Sequence, residues 1–494
     1  MAGPGRDKQA GLLLDEPLIF ERNRPGQVGV DSEVGEGCEE ILPEELRRRA
    51  IDGMPEVSEP EVVRHFLRLS QWNLSAATTF YPLGSCTMKY NPIANEAAAR
   101  MPGFAALHPM APDELAQGAI ELMAELQDML AEISGMDAVS LQPAAGAQGE
   151  LTGMKMIRAY QQDQGDVRRK VLIPASAHGT NPASAALCGY QIERIEGNSH
   201  GVVEAGAVRR AMGTDVAALM ITNPNTLGIF ESEITEVAEV VHSQGGLVYL
   251  DGANLNALMG VAKPGHMGAD VLHFNLHKTF STPHGGGGPG AGPVGVRELL
   301  APYLPNPRIV CEGGQWSWRG RAPKSIGRVR SFHGNFGMFV RAYAYIKALG
   351  GDGLTRSTQM AVLNANYLRA RLEQTYHLAV PGLCMHECVL TDKYLEATGI
   401  KTLDVAKRLL DYGYYAPTIY FPLVVSGALM IEPTESESLE TLDEFIAAMQ
   451  AIAQEAVEDP AAIHAAPTHT PVGRLDEARA ARKPVLRWTR ATRE

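Results

Sequence analysis

Long hydrophobic runs are missing from this chain of 494 residues. No stretch approaches the ~18 apolar residues that a membrane-spanning helix needs, and residues 421–431 are among the longest candidates. Cysteine is scarce, with six at irregular spacing and no CxxC pair, so neither a disulfide framework nor a cysteine-rich metal knuckle is expected. Basic charge is in deficit: 44 Lys and Arg against 57 Asp and Glu leave a net charge of −13, which argues against a nucleic-acid surface. The first 20 residues hold only a three-leucine apolar core followed by acids, unlike a secretory signal. These shortages predict a reduced, cytoplasmic protein with neither membrane nor nucleic acid as partner.

What is present is an alternation of strands and helices. Residues 1–75 are broken by Pro17, Pro25, Pro43, Pro55 and Pro60, with helical patterning only over 44–51 and 59–69, and predict an arm that wraps a neighbour. The segment TTFYPLGSCTMKYNP (78–92) reads as a loop presenting Ser85, Cys86 and Thr87 as candidate substrate or channel residues, the alternative being a turn whose hydroxyls bond the local backbone. An amphipathic helix is predicted over 113–134. Strand patterns follow at 138–143, 171–176, 217–225, 246–254 and 271–276, with helical segments between several of them. That spacing predicts a mostly parallel sheet with its ligand beyond the carboxyl ends of the strands. We divide the chain into the arm (1–75), a large α/β domain (76–335), a smaller α+β domain (336–470) and a basic tail (471–494).

The polar residues gather where such a sheet would bind a ligand. Lys278 follows the strand at 271–276 and precedes a run, HGGGGPGAGPVG, in which backbone can approach a flat ligand closely. Lysine amines form Schiff bases with pyridoxal phosphate. That cofactor also needs a carboxylate for its ring nitrogen, which Asp251 in VYLDGAN offers, and otherwise a strand end is a costly place for a charge. Its phosphate needs amides at a helix start, which Gly146, Ala147 and Gln148 offer, and its ring needs a flat neighbour such as His178. The alternative for Asp251 is a helix cap, and for His178 an ordinary loop histidine. No GK[ST] follows the glycine run and GPGAG does not fit GxGxxG, so it is neither a P-loop nor a dinucleotide fingerprint. Cys384, His386 and Cys388 alternate as in a strand, and no metal is expected there.

The segments EPLIFERNRPG, FYPLGSCTMKYNP, LQPAAGAQGELTG, PASAHGTNPASA, MITNPNTLGIFE, VYLDGANLNAL and FNLHKTFSTPHGGGGPGAGPVGV resemble the glycine dehydrogenase (decarboxylating) family, the P-protein of the glycine cleavage system. Fused members are about twice as long and carry the lysine motif in their second half, so the chain is similar to subunit 2 of the two-subunit form. The resemblance implies a fold-type I architecture and pyridoxal phosphate on Lys278. It places cofactor contacts on Gly146, Ala147, His178, Asp251, Asn254 and His277. It also implies decarboxylation of glycine with transfer of the aminomethyl group to the lipoyl group of the H-protein. The implied partners are a separate subunit 1, in one or two copies of each chain, the lipoylated H-protein, and the T-protein and lipoamide dehydrogenase of the same system. Family members often have Cys after HKTF, where this chain has Ser281. Another fold-type I enzyme, an aminotransferase or amino-acid decarboxylase, would share Lys278 and Asp251 but lack SCTMK and HGTNPASA. The group that meets glycine's carboxylate is left open among Arg319, Arg321, Arg328 and Arg330.

Overall fold

The computed structural model describes residues 16–30, 43–47, 53–284 and 290–487. Seven strands form the main sheet: β1 (Ala138–Ser140), β2 (Lys170–Pro174), β3 (Gln191–Ile195), β4 (Val216–Thr222), β5 (Leu247–Gly252), β6 (Val271–Phe274) and β7 (Val294–Val296). Their order across the sheet is β1-β7-β6-β5-β4-β2-β3. Strands β2 to β6 run parallel, whereas β7 is antiparallel to both β1 and β6. Every residue of β4, β5 and β6 is buried, as expected for strands covered on both faces.

Side chains alternate between the two covering layers. Leu250, Leu272 and Phe274 pack with helix Gln117–Ser134 and with the start of helix Phe336–Leu372. On the same face, Leu219, Ile221 and Val248 meet helices Ala205–Ala211 and Ile234–Ser243. Met220, Tyr249 and Val271 point the other way, onto Met154 and Ile157 of helix Gly146–Asp163. Burying one Val, Leu or Ile side chain contributes about 1.5–3 kcal/mol, so these layers hold the strand ends in fixed relation.

Three features depart from the sequence reading. The strand expected over 271–276 stops at Phe274, and Leu276–Thr279 makes one helical turn in which the Lys278 and Thr279 amides donate to Asn275 O. Part of the Gly/Pro run is a buried strand, β7, rather than loop throughout; Gly295 fits there because Met136 and Phe274 leave no room for a side chain. Strand β3 and helix Ala205–Ala211 were not anticipated, since QIERI is a mostly exposed edge with no apolar periodicity. Residues 285–289 of the glycine run lie outside the described residues.

Beyond β7, the hairpin β8 (Arg308–Glu312) and β9 (Gln315–Arg319) turns through Gly313 and Gly314, both with positive φ, as a two-residue hairpin requires. Helix Phe336–Leu372 has a non-helical residue at Gly350. A second sheet contains β10 (His377–Leu378), β11 (Cys388–Thr391), β12 (Thr418–Ile419) and β13 (Ala428–Ile431), all antiparallel in the order β10-β11-β13-β12. Helix Leu439–Glu458 covers it through Phe445, Met449 and Ile452. Of the arm, Glu44–Leu46 is a single 3-10 turn and residues 48–52 lie outside the described residues, while Glu59–Gln71 is helical.

Candidate active site

A cleft of about 220 Å³ opens at the carboxyl ends of β4, β5 and β6. Gly146, Ala147, His178, Asp251, Asn254, His277 and Lys278 all line it, together with Ser85. Helix Gly146–Asp163 starts at the cleft, and Ala145 before it provides no side-chain cap, so its first amides keep their donors free for a ligand. Gly146 must lack a side chain, because a Cβ there would lie 2.5 Å from Asn275 Oδ1. Gln148 turns away: its Oε1 accepts from Ala144 N and its Nε2 donates to Val329 O, which braces the loop before the helix.

Asp251 is buried at the end of β5. Its Oδ1 accepts from Ala253 N at 2.9 Å and lies 3.4 Å from His273 Nε2. Tyr249 Oη sits 2.7 Å from His273 Nδ1 and burial keeps that imidazole neutral. Glu150 lines the cleft near Asp251, and its carboxyl is pushed up to about 8 by burial and then by the Asp251 charge. Its Oε1 accepts from Thr180 Oγ1 at 2.7 Å, and Thr180 Oγ1 meets His178 Nδ1 at 2.9 Å. His277 is held down to about 3, first by burial and then by His284 and Lys278. Among the described residues, Lys278 Nζ has neither a hydrogen bond nor an ion pair.

Thr87 and Cys86 stand behind the cleft rather than in its wall. Thr87 donates its N–H and Oγ1 to the two oxygens of Glu432 at 2.8 and 2.6 Å, and Ser85 N donates to Glu387 Oε2 at 2.7 Å. Burial raises the Cys86 thiol. Lys89, in the same SCTMK segment, is buried and donates to Thr279 O, Tyr345 Oη and Glu435 Oε1. The loop is therefore tied both to the turn that carries Lys278 and to the smaller sheet. Ser281 has φ 53° and donates Oγ to Tyr90 O at 2.8 Å, a further tie between these segments.

Sequence reading missed Glu150, His386, Glu387 and Glu432. Glu432 carried a signal of the same kind as Asp251, an acid directly after a buried apolar strand. The strand begins at Cys388, so His386 and Glu387 precede it rather than alternating within it. Arg319, Arg321, Arg328 and Arg330 do not line the cleft; Arg319 pairs with Glu312 on the β8–β9 hairpin, and Arg328 donates to Phe332 O.

Comparison with known proteins decides the family. A profile described as glycine cleavage system P-protein matches residues 25–314, more than half of the chain. The chain belongs to the glycine cleavage system P-protein family. A second profile, glycine dehydrogenase C-terminal domain, matches residues 357–469. The probable glycine dehydrogenase (decarboxylating) subunit 2 of Desulforamulus reducens is 54% identical over 96% of this chain and 99% of its own length. That of Chlorobium chlorochromatii is 55% identical over 95% and 99%. Among solved structures, an inhibitor-bound glycine decarboxylase (P-protein) superposes with a TM-score of 0.70 at 21% identity, covering 84% of this chain and 94% of that one. A cysteine desulfurase from Thermococcus onnurineus NA1 gives 0.59 at 16% identity over 76% and 95%. The P-protein family fold is thus the fold-type I architecture, with its mixed central sheet flanked by helices.

Proposed function

We propose that this chain decarboxylates glycine with pyridoxal phosphate held on Lys278, as subunit 2 of a two-subunit P-protein. The observation that carries the reading is the cleft's donor set. An unpaired lysine amine, a buried carboxylate and an uncapped helix start face one cavity, alongside Thr222 Oγ1, Asn254 Oδ1, Asn275 Oδ1 and His277 Nδ1, which are buried without hydrogen-bond partners among the described residues. Orphaned polar atoms in a cleft are what a polar ligand would satisfy. The residues present therefore fit the cofactor: Lys278 its aldehyde, Asp251 its ring nitrogen, the amides of Gly146 and Ala147 its phosphate, and His178 its ring face. Bound there, the cofactor supplies a positive ring that takes up the electron pair left when a carboxylate departs as CO₂.

The chain's own contribution is positioning and exclusion. Asp251 presents its carboxyl at the strand end, and burial disfavours charge on the neighbouring His273 and Glu150. Lys89 fixes the turn that carries Lys278 by holding Thr279 O. We read residues 76–335 as the cofactor-bearing part and residues 336–470 as the part that closes the cleft through Glu387 and Glu432 behind the loop 85–87. The aminomethyl acceptor is the lipoyl group of an H-protein, and subunit 1, the T-protein and lipoamide dehydrogenase complete the system. The test is the visible absorption of the purified chain with and without glycine, followed by borohydride reduction and peptide mapping. A label on Lys278 is expected; a label on another lysine refutes the assignment.

A further inference from the structure

Asp251 and His178, assigned to the cofactor's ring nitrogen and ring face, lie on different segments of the chain. Asp251 is near the end of β5, whereas His178 sits in the loop between β2 and helix Thr180–Leu187. Two groups that must meet the same flat ring need something to hold them in register. Glu150, early in helix Gly146–Asp163, reaches towards both. Gly149 lets this part of the helix press against β6, since a Cβ there would lie 2.8 Å from Gly292 O and 2.9 Å from His273 Cβ.

Both oxygens of the Glu150 carboxyl are engaged. Oε1 is 2.7 Å from Thr180 Oγ1, which lies 2.9 Å from His178 Nδ1, and Thr180 N donates to that same nitrogen at 3.3 Å. Oε2 faces Asn181, which is wholly buried. The Asn181 amide stands between two acids, and only its NH₂ can donate to them. In that orientation Nδ2 donates to Glu150 Oε2 at 2.7 Å and to Asp251 Oδ2 at 3.3 Å. The other close neighbours of the Asp251 carboxyl, Ala253 N and His273 Nε2, both meet Oδ1. A carboxyl held through one oxygen can still swing about its Cβ–Cγ bond, whose torsion is soft. A donor on the second oxygen fixes its plane. A path of polar contacts therefore runs His178–Thr180–Glu150–Asn181–Asp251, with no step longer than 3.3 Å.

We propose that Glu150 is a positioning residue, which through Thr180 and Asn181 holds the His178 imidazole and the Asp251 carboxyl as one rigid unit around the cofactor ring. Asn181 sets the Asp251 plane, Thr180 sets the His178 ring, and Glu150 ties the two connectors together. Its work is hydrogen bonding rather than charge. Gln can hold both neighbours, its oxygen accepting from Asn181 Nδ2 and its nitrogen donating to Thr180 Oγ1, whereas Leu fills the same space and holds neither. The inference rests on the reading of the cleft as the pyridoxal phosphate site.

The test uses the full chain titrated with pyridoxal phosphate and needs no turnover. Affinity is read from visible absorbance, and ring orientation from visible circular dichroism per bound cofactor. Glu150→Leu should weaken affinity about tenfold or more and change the ellipticity, while Glu150→Gln restores both to within about threefold of wild type. Wild-type values in Glu150→Leu, or the same loss in Glu150→Gln as in Glu150→Leu, overturn the proposal. In a chain already carrying Thr180→Val and Asn181→Leu the connectors are gone, so Glu150→Leu should cost less than about twofold more. A further tenfold loss there would mean that Glu150 acts by another route and overturns the proposal. Should Glu150→Leu fail to fold, Thr180→Val carries the test, because it cuts the His178 arm with a side chain of the same shape; unchanged ellipticity in that variant overturns the proposal. If pyridoxal phosphate does not attach to Lys278 in the wild type, the assigned function fails and the positioning role falls with it. If it attaches and the variants match wild type, only the positioning role fails.

Discussion

Asp251 and Lys278 divide the chemistry of the cleft between charge and nucleophile, and each can be tested alone. Lys278→Ala should abolish the reducible attachment and turnover together, measured by absorbance and CO₂ release. Asp251→Asn keeps the shape and removes the charge facing the ring nitrogen. A buried charge-assisted bond of roughly 2–4 kcal/mol corresponds to about 30- to 1000-fold in rate. Near-complete glycine decarboxylation by Asp251→Asn would sink that role. Glu150 gives a stability signature. Its folded pKa of about 8 lies above the ordinary carboxyl value of 4.5, so the folded state keeps a proton that the unfolded chain gives up. Its effect on stability therefore turns unfavourable as pH rises through that window. Replacing Glu150 with Gln should flatten the fall in Tm between about pH 5 and 8 relative to wild type; parallel curves would show that Glu150 is charged in the fold.

Between elements, the SCTMK loop is the tie that matters. Lys89 is enclosed and its amine holds Thr279 O, Tyr345 Oη and Glu435 Oε1. Removing one partner of a buried ion pair leaves the other charge uncompensated, at a cost of about 3–5 kcal/mol. Lys89→Ala should therefore lower the denaturant midpoint and also loosen the Lys278 turn, seen as weaker retention of pyridoxal phosphate on dialysis. A variant as stable as wild type would mean that Glu435 finds another partner. The alternation of strands and helices, and with it the row of strand-end residues from Gly146 to Lys278, was legible because buried parallel strands are continuous apolar runs. Strand β7 was not, since Val-Gly-Val inside a glycine-rich run has the composition of a loop and becomes a strand only by pairing with β1 and β6. Glu387 and Glu432 were hidden for a related reason. They meet through the antiparallel register of β11 and β13, a tertiary fact that no local spacing reveals. Thr87 faces Glu432, which no local spacing reveals, because a loop with positive φ at Ser85 and Thr87 must have its amides satisfied from outside.

At the scale of the molecule, helix Glu59–Gln71 has no cover on its apolar side among the described residues. His65 is its one buried residue, while Val63, Phe66 and Leu67 are 49%, 58% and 58% exposed. Glu16 clips the arm to this helix by accepting from Arg22 and Arg68 and meeting His65 Nδ1 at 2.8 Å, so the helix is held in place with its apolar side outward. An apolar helix face held out in this way is suited to a partner chain, and a cleft whose reaction needs dry conditions benefits from further walls. The expected partner is subunit 1. The chain by itself should take up pyridoxal phosphate yet barely exchange CO₂ with glycine when lipoylated H-protein is present, and adding subunit 1 should restore the exchange. Phe66→Glu should weaken the complex at least tenfold by sedimentation, since losing one buried aromatic contact removes roughly 1.5–3 kcal/mol. The same substitution should leave Lys278 labelling untouched, because the helix does not line the cleft. Full H-protein-dependent exchange by the monodisperse chain unaided would refute the partner requirement, and unchanged affinity in Phe66→Glu would move the interface to another face.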